Sequence, residues 1–185
     1  MLDLAINHAP ELQAKYRASI FDERYKFYRR TPGGDFFLPI TDNSRDGLQF
    51  VSLDESGVIG YLSVKVNRLT KTGYEIEAIH FSPIQSPIFT QDMFDFFSAL
   101  YSTFGLNRLV WSVIVGNPAE AFYDRLVDYF GVRVVGTFKD DVMLYDGQLY
   151  DLKYYEYFKD DFMRCTKENG TDNLSYRNFN KGVKP

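Results

Sequence analysis

At 185 residues the chain is long enough for one domain built around a single sizeable core. Hydrophobic residues make up 45% of it and aromatic residues 17%, which excludes a disordered protein and predicts a bulky core with many hydroxyls to satisfy. A net charge of −4 gives no electrostatic drive toward nucleic acid or an anionic membrane, so neither is expected as a partner.

Taken in chain order, the apolar spacing of Leu12, Tyr16, Ile20 and Phe27 predicts a first helix from Pro10 to Arg29. Thr31-Pro32-Gly33-Gly34 ends it, and a loop runs to Gly47. Leu48 to Leu53 and Val58 to Val66 read as a hairpin turning through Asp54-Glu55-Ser56-Gly57. Tyr74 to Phe81 reads as a further strand, and Gln91 to Phe104 as an amphipathic helix burying Met93, Phe94, Phe97 and Leu100. Arg108 to Val115, rich in β-branched and aromatic residues, is a buried strand. Asn117 then caps a helix with Pro118 at its first position, which buries Phe122 and Leu126 and stops near Gly131. Val132 to Tyr145 and Leu149 to Phe158 pair across Asp146-Gly147. The order predicts an α/β fold, a mixed and mostly antiparallel sheet with helices on both faces, over residues 1–158. Residues 159–185 show no period and are expected to form an irregular tail, whose Phe162, Leu174, Tyr176 and Phe179 can dock on the domain or on a second copy.

The single cysteine, Cys165, excludes a disulfide framework and fits a reducing compartment. With His8 and His80 the only histidines, no zinc-ligand spacing exists and no metal is expected. The first turns carry Asp3, Glu11 and Lys15 in place of a long apolar core. We therefore expect neither a signal peptide nor a membrane span, and a cytoplasmic location. A sheet edge and an aromatic tail leave a homodimer open.

Strand, Asn117-Pro118-Ala119, a helix carrying Tyr123, Gly131 and a further strand together resemble the second half of a Gcn5-related N-acetyltransferase domain. Gly60 in Val58-Ile59-Gly60-Tyr61-Leu62, Gly136 after the tyrosine helix and the closing hairpin Tyr145 to Asp151 extend that resemblance over most of the chain. The resemblance implies acetyl-CoA as cosubstrate, with Asn117 touching the pantetheine arm and the Tyr123 hydroxyl facing its sulfur. It further implies Ile79, Phe81, Ser86 and Thr90 as coenzyme-binding positions, and a small-molecule or peptide amine as acceptor. The family's acceptor site is built from the first helical region and the last hairpin, where Tyr28, Tyr150 and Tyr155 are candidates.

An acceptor amine must lose a proton to attack a thioester, and a carboxylate can take it. In Tyr74-Glu75-Ile76-Glu77 the two-residue spacing puts Glu75 and Glu77 on one strand face, and Glu77 is the candidate base. Tyr123 is the candidate acid toward the departing thiolate. His80 faces the other way and reads as packed, and Cys165 is a poor nucleophile. One stretch departs from the family: Phe81-Ser82-Pro83 matches its apolar-x-Pro start, but the glycines that normally follow are missing. Pro87 and Phe89 stand near their places, and no basic residue lies in the loop. An acetyltransferase is the first reading, and a related domain that has lost coenzyme binding and serves as a binding or structural module is the alternative.

Overall fold

The computed structural model describes residues 1–28, 37–43, 46–82, 84 and 86–168. Seven strands form one sheet in the order β1-β2-β3-β4-β5-β7-β6. They span Leu2–Leu4, Gly47–Asp54, Gly57–Asn67, Thr72–His80, Arg108–Ile114, Arg133–Met143 and Leu149–Phe158, numbered β1 to β7 along the chain. Every neighbouring pair is antiparallel except β4 and β5, which are parallel. The α/β expectation holds. The helices are α1 (Ala9–Ser19), α2 (Pro87–Ser102), α3 (Ala119–Phe130) and α4 (Lys159–Glu168), and a 3-10 turn spans Glu23–Tyr28.

Alternation along the strands sorts the core onto two faces. On one, Leu62 and Val64 of β3, Leu109 and Trp111 of β5, and Tyr155 and Tyr157 of β7 pack against Phe94 and Phe97 of α2, Leu126 of α3 and Phe162 of α4. On the other, Val51, Val58, Tyr61 and Ile79 pack against Leu12 of α1 and Tyr25 of the 3-10 turn. Ile114, Val142, Leu144 and Leu152 form a smaller cluster beneath Phe27 and Tyr150. No described helix is long and apolar enough to cross a membrane.

The structure revises several element bounds. The first helix stops at Ser19, ten residues short of the Arg29 expected, because Asp22 accepts the Arg24 backbone N–H and seeds a separate 3-10 turn. Arg29 and the Thr31–Gly34 breaker lie outside the described residues. The α2 helix begins at Pro87, earlier than Gln91, since Ser86 accepts the Phe89 N–H as a cap and Pro87 takes the first helical position. The strand β1, not expected from its three residues, pairs with Phe50, Val51 and Ser52 of β2. The segment after Phe158 is not irregular throughout: α4 buries Phe162 and Cys165 three residues apart against the core. The Cys165 thiol contacts the Phe130 carbonyl. Leu174, Tyr176 and Phe179 lie outside the described residues.

Candidate functional site

The β4 and β5 strands touch only at their starts, where Thr72 pairs with Arg108 and Gly73 with Leu109. A Cβ on Gly73 would come within 2.8 Å of Leu109, so the glycine lets the strands meet closely there. Beyond it they separate. The β4 strand bulges, placing Glu75 and Ile76 against Val64 alone, with Glu75 at φ 48°. The β5 strand turns instead to β7, which it pairs along its whole length. Where the two strands part, a cleft of about 360 Å³ passes through the sheet.

Asn117, Ala119 and Tyr123 line that cleft from the β5 side, and Glu75, Glu77 and Ile79 from β4. The turn that delivers Asn117 is closed by its N–H on the Ile114 carbonyl, with Gly116 at φ 90° as its left-handed residue. Asn117 Oδ1 accepts the Ala119 N–H at 2.9 Å, so its side chain caps α3 even though Pro118 stands one residue nearer the helix. The Glu120 carboxylate reaches back to the Gly116 N–H and also meets Lys153. Lys153 donates to Asp124 at 2.6 Å, and Tyr155 donates to the same oxygen at 2.8 Å. Desolvation pushes the Asp124 carboxyl up, but the Lys153 and Tyr155 hydrogen bonds outweigh it and hold the group below its usual range.

Tyr123 packs beside the stacked pair of Trp111 and Tyr155, with ring centroids 5.8 and 5.7 Å away. Burial pushes its phenol well up, with smaller contributions from Tyr28 and Tyr155. Among the described residues its hydroxyl has no hydrogen-bond partner, so it can turn toward a ligand in the cleft. Glu77 accepts from Ser63 Oγ at 3.4 Å, while Glu75 is paired with Lys65.

Asn117, Tyr123, Glu77 and Ile79 are therefore brought together at one cleft. Phe81, Ser86 and Thr90 are not among its lining residues. The Phe81 N–H bonds to the Ile59 carbonyl and its ring packs in the α1-side cluster. Ser86 and Thr90 serve the start of α2, Ser86 as cap and Thr90 by donating its hydroxyl to the Ser86 carbonyl at 3.1 Å. Pro83 and Gln85 lie outside the described residues. Phe89 does not fill the cleft; its ring stacks on His80 with centroids 4.7 Å apart. His80 lies outside the lining and is packed, its buried Nε2 without a partner, and burial lowers its pKa.

Of the tyrosines considered for the acceptor side, Tyr28 lines the cleft, whereas Tyr150 and Tyr155 do not. Tyr150 instead bonds Asp146 and Lys26, fastening the closing hairpin to the 3-10 turn. Tyr16, Phe27, Tyr61 and Ser63 line the cleft and were not singled out in the sequence. Tyr16 and Phe27 carried only a helical period there, and Tyr61 only strand alternation. Among the described residues no group of three or more His, Cys, Asp or Glu is placed to hold a metal ion.

No protein-family model matches the sequence, and no curated protein matches it. Solved structures do. A GCN5-related N-acetyltransferase from Brucella melitensis superposes on 97% of this chain and 90% of its own, with a TM-score of 0.69 and 20% identity. The spermidine/spermine N-acetyltransferase SpeG from Vibrio cholerae covers 66% of this chain and 71% of its own, with a TM-score of 0.56 and 17% identity.

Proposed function

We propose, from the GCN5-related N-acetyltransferase fold that this chain has, that it moves an acetyl group from acetyl-CoA to the primary amine of a small molecule. The observation that carries the reading is the meeting of Asn117, Tyr123 and Glu77 at the fork between β4 and β5. Each side of the reaction has a group there. The acceptor amine enters over the α1-side face, and Glu77 takes its proton directly or through water. The nitrogen lone pair attacks the thioester carbonyl, the C–N bond forms and the C–S bond breaks. Tyr123 protonates the leaving thiolate and regains a proton from solvent afterwards. Because burial raises its pKa, the phenol keeps that proton across the neutral range.

The pantetheine portion fits the parted strands, whose unpaired edges can accept its amides, with Asn117 beside them. For the acceptor, Glu77 gives the cleft a carboxylate in excess of the Glu75–Lys65 pair, and Tyr16, Phe27 and Tyr28 give it an aromatic wall. Both suit a cationic amine on an apolar or aliphatic stem. A polyamine is one such compound, and a structural neighbour is a spermidine/spermine N-acetyltransferase.

Calorimetric titration with acetyl-CoA tests the reading, followed by an amine screen that includes spermidine. Micromolar binding weakened by Asn117→Ala, with turnover of at least one amine, supports it. Absence of binding at about 1 mM coenzyme, an affinity weaker than about −4 kcal/mol, ends it.

A further inference from the structure

The two ends of a coenzyme thioester meet very different surfaces on this chain. Resting on the acetyl-transfer reading, we propose that the site recognises its donor chiefly through the acyl-pantetheine arm, and that the start of α2 gives the diphosphate of the nucleotide end little hold. The arm has its fork, with Asn117 and Tyr123 at the edge. Among the described residues, the start of α2 offers the diphosphate no comparable fit.

A diphosphate held at a helix start needs free amides, close backbone approach and, as a rule, a cation. From Phe81 to Ser102 the sequence has no Lys, Arg or His, and its charged residues there are Asp92 and Asp95. Part of the set of amides is already used. Pro87 has none, the Phe89 N–H goes to Ser86 Oγ at 3.3 Å, and the Thr90 N–H goes to the Ser86 carbonyl at 3.1 Å. Ahead of the helix, the Phe81 N–H is bonded to Ile59 and the Ile84 N–H to Ser82 Oγ. Among the described residues, the Ser82, Ser86 and Ile88 N–H groups carry no hydrogen bond.

Close approach is blocked as well. The Phe89 ring is wedged between His80 and the bare backbone of Gly60, where a Cβ would lie 2.2 Å from it. Glycines at this loop would let phosphate oxygens reach the backbone, whereas Pro87 and Phe89 put side-chain bulk in the way. A helix dipole alone, worth a fraction of a kcal/mol at an exposed terminus, does not compensate for four phosphate charges facing an acidic protein.

Three donor-side ligands test this on the full chain: acetyl-CoA, S-acetyl-pantetheine and adenosine 3′,5′-diphosphate. Calorimetry reads binding, and turnover with an amine found by the screen reads kcat/KM. The expected result is a kcat/KM for S-acetyl-pantetheine within about tenfold of that for acetyl-CoA, with no displacement of either by about 1 mM nucleotide. A loss of about 100-fold or more on truncation, with competition by the nucleotide, overturns the inference and leaves the acetyl-transfer reading intact. Failure of both thioesters to bind overturns the two together. Ser86→Ala adds a separate reading: it removes a cap and lowers stability, but the ratio of the two donors stays constant. A ratio that shifts against acetyl-CoA would show that the loop does hold phosphate.

Discussion

Gly60 on β3 and Phe89 on α2 fit as hollow and ring: a Cβ on the glycine would lie 2.2 Å from the ring edge and 3.0 Å from the Ile79 carbonyl. The glycine is thus a packing requirement, and the ring anchors the start of α2 to the sheet. Gly60→Ala overpacks this joint and should cost about 1–3 kcal/mol in urea unfolding. Combined with Phe89→Ala, most of that cost should vanish, giving a coupling energy of about 1 kcal/mol or more in a double-mutant cycle. Additive effects would mean that the ring moves aside freely.

His80 shares the same joint, and its protonation opposes folding. Its ring is stacked on Phe89, its Nε2 is buried without a partner, and desolvation lowers its pKa from the ordinary 6.5. The unfolded chain therefore takes up this proton at a higher pH than the folded one. Stability from this group is complete above about pH 6.5 and declines as pH falls through that value toward the folded pKa. His80→Phe should remove this decline while keeping the stack. Asp124 works in a lower window. Its folded pKa is depressed, so its contribution is full above the unfolded value of 3.8 and is lost as pH falls further. Asp124→Asn should flatten only that acid limb, and thermal melts from pH 7 to pH 3 separate the two.

Much of this architecture is legible in the chain because strand alternation and turn chemistry are local. Asp146-Gly147 and the Asn117-Pro118 junction announce themselves within a few residues, and the structure has a hairpin and a helix start there. The ends of α1 and α2 are less legible: the bonds at Asp22 end α1 although an apolar period runs past them, and the Ser86 cap starts α2 before its apolar period begins. The cleft is the least legible part. Nothing in Tyr74-Glu75-Ile76-Glu77 marks the bulge at Glu75, which depends on β3 opposite and on β5 turning away toward β7. Tyr16, Phe27 and Tyr61 become a wall only when α1, the 3-10 turn and β3 are assembled.

Tyr123 offers a separation of chemistry from packing. Among the described residues its hydroxyl makes no hydrogen bond, so Tyr123→Phe removes a hydroxyl at the cleft without orphaning a partner. The melting temperature should stay level or rise slightly. If the phenol protonates the leaving thiolate, turnover should fall by about 10²–10⁴-fold with donor affinity unchanged. A parallel drop in donor affinity would assign Tyr123 to binding instead. Glu77→Gln should give a loss of similar size, and an amine of lower pKa, already neutral in the assay, should restore part of it.

On the acetyl-transfer reading Asn117 has two duties on two atoms, and two substitutions divide them. Oδ1 caps α3 through the Ala119 N–H, while Nδ2 has no partner among the described residues and lies at the cleft. Asn117→Asp keeps an acceptor at the helix start, where a negative charge also suits the dipole, but it deletes the amide donor. Asn117→Ala deletes both. The alanine variant should lose about 1 kcal/mol of stability and the aspartate variant almost none, whereas both should bind the thioester donor about tenfold or more weakly. If the aspartate variant keeps full donor affinity, the side chain is a helix cap and nothing more. The donor would then have to be held by the parted strand edges of β4 and β5 alone.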